Sequence, residues 1–153
     1  MPEVIISDTS CLLVFTNAGR LTLLRELYQE VFITSVIQAE YRLPLPAWIR
    51  VADPLDVERT IRLSSLVDVG EASAMALALE RTDAKLILDD LKGRRLALEL
   101  GIPITGSLGV LKAAKDKALI PAMAPALDDL RKAGLWLSDE LVRAVLAEAG
   151  EGR

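Results

Sequence analysis

The chain has 153 residues, 52% of them hydrophobic and 4% aromatic, with 18 Lys and Arg against 22 Asp and Glu and a formal charge of −4. This length fits one domain with a core of Leu, Ala, Val and Ile. The sequence has no His and one Cys, which excludes His-ligated zinc, a disulfide framework and any nucleophile activated by His. We interpret Cys11 as a small core hydrophobe.

Other classes of protein lack their usual signals. There is no Gly-rich phosphate loop, which removes the common support for nucleotide-cofactor chemistry. No apolar stretch approaches the length of a membrane span. Met1-Pro2-Glu3 leads directly into a strand-like segment, so no secretory signal is expected. A cytoplasmic protein is the simplest interpretation.

Short apolar segments alternate with helical patterns along the chain. Strands are predicted over 4–7, 31–34, 48–52, 85–88 and 102–105. Helices are predicted over 11–17, with Thr9 and Ser10 as N-cap hydroxyls, and over 21–29, 35–43, 56–66, 70–81, 90–100, 106–117, 125–133 and 138–149. Buried strands that alternate with helices predict a mainly parallel sheet covered on both faces, in one α/β domain over 1–153.

Four carboxylates stand in apolar surroundings, where a lone negative charge is costly. Asp8 and Asp89 each follow an apolar strand, Glu40 lies on the apolar stripe of a helix, and Glu71 opens a helix rich in Ala. The stripe places Glu40 toward the sheet. Ligand sites form beyond the carboxyl ends of parallel strands. We therefore expect the four acids to converge at one pocket that holds a hard divalent cation.

Each acid also has a purely structural explanation. Asp8 and Asp89 could cap the helices that follow them. Glu40 could pair with a buried Arg, and Glu71 could complement the positive end of its helix. Four such placements in one small domain favour the shared site.

Four motifs, in order over roughly residues 3–120, resemble the PIN-domain family of nucleases: IISDTSCL, TSVIQAEY, DVGEASAMALALE and LILDDLKGRRLALELGIPITGSLGVL. The fourth motif is similar to a prokaryotic subgroup related to the toxins of VapBC-type toxin–antitoxin pairs. The resemblance implies a three-layer α/β/α fold and cleavage of RNA that depends on Mg²⁺ or Mn²⁺.

The resemblance also assigns residues to this chemistry. It implies that Asp8, Glu40, Glu71 and Asp89 are catalytic metal ligands, with Asp90 as an additional or alternative ligand because the register of the Asp-Asp pair is ambiguous. Glu71 stands where related proteins often carry Asp. Two hydroxyl residues, Ser10 and Ser107, are predicted to support the site.

Three other functions agree with the sequence to different degrees. A PIN-like module without catalysis, serving in binding or assembly, remains open. An aspartate phosphotransfer domain is disfavoured because the pair Asp89-Asp90 follows a late strand. Phosphatases of the haloacid-dehalogenase type need Asp-x-Asp after the first strand, where this chain has Asp8-Thr9-Ser10.

Partners are predicted from charge and apolar surface. A basic rim that contacts RNA phosphates is expected from five residues on two helices, Lys92, Arg94, Arg95, Lys112 and Lys115. The alternative for these residues is solvated surface or pairing with Glu99 or Asp116. A homodimer is expected from the apolar residues of the N-terminal helices, unless they all enter the core: Leu12, Leu13, Phe15, Leu23, Leu24 and Leu27. The resemblance adds an antitoxin as a possible protein partner.

Overall fold

Strands and helices alternate along residues 3–152, the part of the chain that this computed structural model describes. Met1 and Pro2 lie outside the described residues, and the expectation of no secretory signal rests partly on them. The elements are β1 (Val4–Ser7), α1 (Thr9–Asn17), α2 (Leu21–Tyr28), β2 (Val31–Ile33), α3 (Ser35–Tyr41), β3 (Ile49–Val51), α4 (Val57–Leu63), α5 (Val69–Leu79), β4 (Ala84–Ile87), α6 (Leu91–Glu99), β5 (Ile104–Thr105), α7 (Ser107–Asp116), α8 (Met123–Lys132) and α9 (Asp139–Glu148).

The five strands form one sheet in the order β3-β2-β1-β4-β5, and every neighbouring pair is parallel. In the central strand, Ile6 lies opposite Phe32 on one side and Leu86 on the other. Helices flank the sheet in a three-layer α/β/α arrangement. The predicted fold class is confirmed. All carboxyl ends of the strands therefore point to one edge of the sheet.

The core is aliphatic and continuous across the sheet. Ile5 and Ile6 of β1 are buried, as expected for a strand covered on both faces. Helix α5 is buried from Ala72 to Ala78, since small side chains let its backbone lie close to the neighbouring elements. This burial fixes the first turn of α5 at the edge where β1 ends.

Several predicted element boundaries shift for identifiable reasons. The helix predicted over 35–43 ends at Tyr41, because Arg42 adopts a left-handed conformation with φ of 62° and Pro44 follows. The first helix begins at Thr9, and Asp8 is its N-cap: the Asp8 side chain accepts a hydrogen bond from the Cys11 amide. The N-cap predicted for Thr9 and Ser10 was wrong, because both lie inside the helix.

The N-terminal helices present no apolar face to solvent. Five of the six residues on which the homodimer was predicted are buried, and Leu13 is partly buried: Leu12, Phe15, Leu23, Leu24 and Leu27. That basis for the dimer was wrong, since α1 and α2 pack into the core of the same chain. Among residues 3–152, no helix is both long and apolar enough to cross a membrane.

Candidate active site

Two of the predicted acids follow adjacent strands. Asp8 comes directly after β1, and Asp89 comes two residues after β4. The register of the two strands pairs Ser7 with Ile87, and the Asp8 amide donates to the Ile87 carbonyl over 3.2 Å. Both carboxylates are therefore held at the carboxyl edge of the sheet.

A small cleft of about 180 Å³ lies at this edge. Its walls include three of the four predicted acids, Asp8, Glu40 and Glu71, together with Asp68. Thr9 and Ser10 complete the lining. We call this feature the acidic cleft. Three of the four predicted acids therefore line one cleft, together with Asp68, an acid that was not predicted.

Glu40 is exposed at the rim of the acidic cleft rather than turned toward the sheet. The buried residues of α3 are Ile37 and Tyr41, whose spacing sets the rotation of the helix and leaves Glu40 one position away from the buried face. The prediction that Glu40 faces the sheet was wrong for this reason. Its Oε1 accepts a hydrogen bond of 2.5 Å from the Thr9 hydroxyl, which ties it to the helix that Asp8 caps.

Asp68 is the functional candidate that the sequence analysis missed. It is the N-cap of α5 and accepts a hydrogen bond of 2.8 Å from the Glu71 amide. An acid three residues before Glu71 matches the spacing of a capping box, and that signal could have placed Asp68 at the cleft. The cap fixes the first turn of α5, in which Glu71 lies.

Glu71 carries a polar atom without a partner. Its Oε1 is buried and accepts no hydrogen bond. Burial, a contact with Asp68 and the charges of Asp68, Asp90 and Asp8 raise the pKa of Glu71 to about 8. A carboxylate in this position lacks a counter-charge.

Asp8 has a similar electrostatic problem. It is 3% exposed, and burial raises its pKa from 3.8 to about 7. Hydrogen bonds from Cys11 oppose this rise, while the charges of Asp89 and Asp68 add to it. The acids of the cleft therefore repel one another across a poorly solvated space.

Asp89 lies beside Asp8 but does not line the acidic cleft. One of its oxygens accepts from the Ser107 amide over 2.8 Å. The other accepts from the Ser107 hydroxyl over 2.5 Å and from the Cys11 thiol over 3.1 Å. Ser107 thus holds Asp89 directly, and Cys11 is more than a core hydrophobe because its thiol contacts this carboxylate.

Asp90 occupies a different position from its neighbour. It is the N-cap of α6 and accepts from the Gly93 amide over 2.8 Å. Asp90, Asp68, Glu71 and Lys92 all line a second cleft of about 390 Å³. The two adjacent acids therefore act on different members of the acidic cleft. The charge of Asp89 raises the pKa of Asp8, and the charge of Asp90 raises the pKa of Glu71.

The donor set fits a hard divalent cation that keeps part of its water shell. The cleft offers oxygen atoms from Asp8, Glu40, Asp68 and Glu71, and none of these acids forms a salt bridge within residues 3–152. As placed, no three Asp, Glu or Cys side chains of the described chain converge closely enough to hold a metal. Mg²⁺ is commonly held by one or two carboxylates and several waters, so the unpaired oxygen of Glu71 is a suitable ligand.

The predicted basic residues do not share one location. Lys92 lines the second cleft, and Arg94 lines a groove on the other side of Asp90. Arg95 is exposed on α6. Lys112 forms a salt bridge of 3.3 Å with Asp116, one of the alternatives considered from the sequence, and Lys115 forms one of 2.7 Å with Glu151. Only Lys92 and Arg94 lie against the clefts.

Comparison with protein families identifies the family of this chain. The family model DUF3368, described as a PIN domain, matches residues 4–151. The chain belongs to the PIN-domain family. A comparison with curated proteins gives no match. The PIN-domain match includes α8 and α9, beyond the 3–120 segment whose motifs carry the resemblance. PIN domains are generally nucleases and typically use divalent metals.

Proposed function

We propose that this PIN domain is an endoribonuclease that depends on Mg²⁺ or Mn²⁺ and cleaves RNA phosphodiesters at the acidic cleft. One observation carries the proposal: Glu71 Oε1 is buried without a partner, among acids that form no salt bridge in the described chain. A carboxylate is stable in such a place when a metal ion supplies the missing charge.

The residues of the acidic cleft would hold the cation. Asp8 and Glu71 provide buried oxygens, while Asp68 and Glu40 stand closer to solvent. Asp89 and Asp90 would strengthen the negative field, each from outside the cleft. A bound divalent cation would neutralise the phosphate and make a water molecule more acidic.

Proton binding competes with metal binding at this site. With pKa values raised to about 7 and about 8, Asp8 and Glu71 hold protons near neutral pH when no cation is present. The ligand form is the deprotonated carboxylate, so metal binding releases these protons. Activity should therefore rise with pH between 6 and 8.

RNA would be held by the cations beside the site. Lys92 and Arg94 line the two clefts that adjoin the acids, and phosphate contacts of Lys and Arg are the general source of affinity for nucleic acid. The resemblance to VapBC-type toxins favours RNA as the substrate and the cytoplasm as the compartment. It also favours an antitoxin as a protein partner.

The test is cleavage of a single-stranded RNA with Mg²⁺, Mn²⁺ or excess chelator. Asp8→Asn keeps the shape of the side chain but removes the charge, so the rate should fall by at least about tenfold. Glu26→Gln, which removes an exposed charge on α2, is the matched control and should cleave normally. Equal cleavage by wild type and Asp8→Asn, or cleavage in chelator, would refute the metal site.

A binding or assembly module without catalysis is the second candidate. It is favoured by the finding that no three acidic or thiol side chains of the described residues are arranged to hold a metal as they stand. This candidate predicts that RNA or a protein partner binds, while Mg²⁺ and Mn²⁺ leave both the RNA and the melting temperature unchanged.

A homodimer remains part of the proposal, on a different surface from the predicted one. Helix α4 and the preceding loop expose Leu55, Val57 and Ile61, each more than half accessible. Glu58 and Arg62 lie beside Val57 and Ile61 and are also exposed. Two copies of α4 packed antiparallel would bring Glu58 of each copy toward Arg62 of the other.

A further inference from the structure

A long groove of about 780 Å³ lies next to the acidic cleft and has a different chemical character. Its lining is largely apolar and includes Leu108, Leu137 and Leu141, and it also carries Asp89, Asp90 and Arg94. Ser10 lines both this groove and the acidic cleft. The two spaces are therefore neighbours across one side chain. We call the larger one the Trp136 groove.

Trp136 is the most exposed aromatic side chain of the described residues, at 83% accessibility. It stands on the segment between α8 and α9, with Leu135 buried before it and Leu137 partly buried after it. Side chains of successive extended residues point in opposite directions. The two leucines thus anchor the segment in the core and leave the indole outward, on the wall of the groove.

This segment is also fixed by a charged contact. Arg131 donates from Nη2 to the Leu137 carbonyl over 3.1 Å and to Asp139 over 2.9 Å. Ser138, which lines the groove, caps α9 by accepting from the Leu141 amide. The indole is therefore presented on a backbone that is held at both sides, as a stacking platform requires.

Arg94 adds a cation at the end nearest the acids. It donates from Nη1 to the Leu88 carbonyl over 2.6 Å, which positions the guanidinium, and it forms no salt bridge within residues 3–152. A flat apolar ring and a fixed cation along one groove are the two elements with which proteins hold single-stranded nucleic acid.

We propose that the Trp136 groove binds an unpaired base of the RNA strand, which stacks on the Trp136 indole while Arg94 contacts the phosphate that leads into the acidic cleft. The inference rests on the proposed function and deepens it, because it assigns a binding site to one base beside the cleaved bond. A duplex would not fit, since its bases are stacked and paired and cannot reach the ring.

An apolar peptide is the competing occupant. RNA is favoured by Arg94, whose guanidinium suits a phosphate, and by the proposed cation site beside the groove, whose metal would offset the charges of Asp89 and Asp90 in the lining. The two occupants can be distinguished by substitutions of Trp136, because a peptide needs an apolar surface and a base needs an aromatic face.

The first measurement is the kinetics of single-stranded RNA cleavage with Mg²⁺. Trp136→Ala should raise KM by about tenfold, because stacking on an aromatic side chain contributes that order of affinity for each base. The kcat should change little, since the acids are untouched. Trp136→Phe should restore most of the KM. Leu98→Ala, which removes an exposed apolar side chain of α6 outside the groove, is the matched control and should behave like wild type.

The second measurement is indole fluorescence in a Trp48→Phe background, where Trp136 is the remaining Trp of the sequence. Binding of a single-stranded oligoribonucleotide in excess chelator should quench the emission, and a duplex of the same sequence should not. An abasic nucleotide at the stacked position should weaken binding to wild type about tenfold and to Trp136→Ala hardly at all.

The outcomes separate the two proposals. Cleavage by wild type with an unchanged KM in Trp136→Ala overturns the base site and leaves the nuclease standing. Quenching by single strands without any metal-dependent cleavage overturns the nuclease and supports base binding by an inactive module. A Trp136→Leu variant that retains the wild-type KM and affinity for single-stranded RNA overturns stacking on the indole.

Discussion

Gly70 lies against Glu40, so closely that a Cβ on Gly70 would overlap the Glu40 carboxylate at the rim of the acidic cleft. Gly70 belongs to the first turn of α5, and Glu40 to α3. The absence of a side chain at position 70 therefore gives the Glu40 carboxylate its place at the rim. This requirement is steric, since Gly70 has no positive φ.

Gly70→Ala should separate stability from activity. The obstructing atoms are the end of a flexible, exposed side chain, so the fold can accommodate the methyl group by moving Glu40. Ala is favoured over Gly in a helix by up to about 1 kcal/mol, so the melting temperature should stay equal or rise. RNA cleavage should fall, as in Glu40→Gln. If Gly70→Ala melts at a higher temperature and cleaves RNA normally, Glu40 is not part of the active site.

The acidic cleft should make stability fall with rising pH when divalent cations are absent. Asp8 has a folded pKa of about 7 against an ordinary value of 3.8, so the folded state binds this proton more tightly than the unfolded state. Its unfavourable contribution is therefore absent below pH 4 and grows as the pH rises toward 7. Glu71 extends the same trend to about pH 8.

Thermal melting at pH 6 and pH 8, with chelator or Mg²⁺, measures this effect. Asp8→Asn should raise the melting temperature at pH 8 in chelator by at least about 2 °C. Mg²⁺ should stabilise wild type more at pH 8 than at pH 6, because protons compete less for the ligands. If the melting temperature of wild type changes with neither pH nor Mg²⁺, the acids of the cleft do not destabilise the fold by repulsion.

Salt dependence should distinguish the basic residues by location. Lys92→Ala and Arg94→Ala should each reduce the slope of RNA affinity against salt, because each removes one phosphate contact. Lys115→Ala should leave the slope unchanged, since its ammonium is bound to Glu151 and to the Ala149 carbonyl. A smaller slope in Lys115→Ala would place the RNA across α7 instead.

Self-association should depend on α4. Ile61→Asp places a charge on its exposed apolar face and should yield a monomer, because the charge would be buried without a partner in the dimer. Sedimentation at several concentrations measures this, with Leu98→Asp on α6, also exposed, as the matched control. A wild-type protein that stays monomeric at every concentration would end the dimer proposal.

Glu151 should make stability fall as the pH drops below about 4.5. It accepts hydrogen bonds from Lys115, from the Met123 amide and from the Ala124 amide, and these contacts lower its pKa to about 2. The stabilisation is therefore present above an ordinary Glu pKa of 4.5 and is lost as the pH falls from there toward 2. Glu151→Gln should lower the melting temperature at pH 6 and bring it closer to wild type at pH 3.

The sequence predicts the fold better than the site. Apolar runs such as Val4–Ser7 are local patterns, and the structure has a strand with those bounds. The position of Glu40 depends on the rotation of α3, which Ile37 and Tyr41 set through tertiary packing. The division between Asp89 and Asp90 depends on Ser107, whose distance from them in sequence hides the contact. Asp68 carried a local signal and could have been found.

The order of the strands also sets the order in which the site can form as the chain is synthesised. β1 is the first strand to be synthesised, yet it is the central strand of the sheet. It pairs with β4, where Ile6 lies opposite Leu86, and these two residues are far apart in the chain. Such distant pairings form slowly. Until β4 joins, Asp8 and Glu40 belong to an incomplete sheet, so a growing chain carries the first two acids of the acidic cleft long before the cleft is complete.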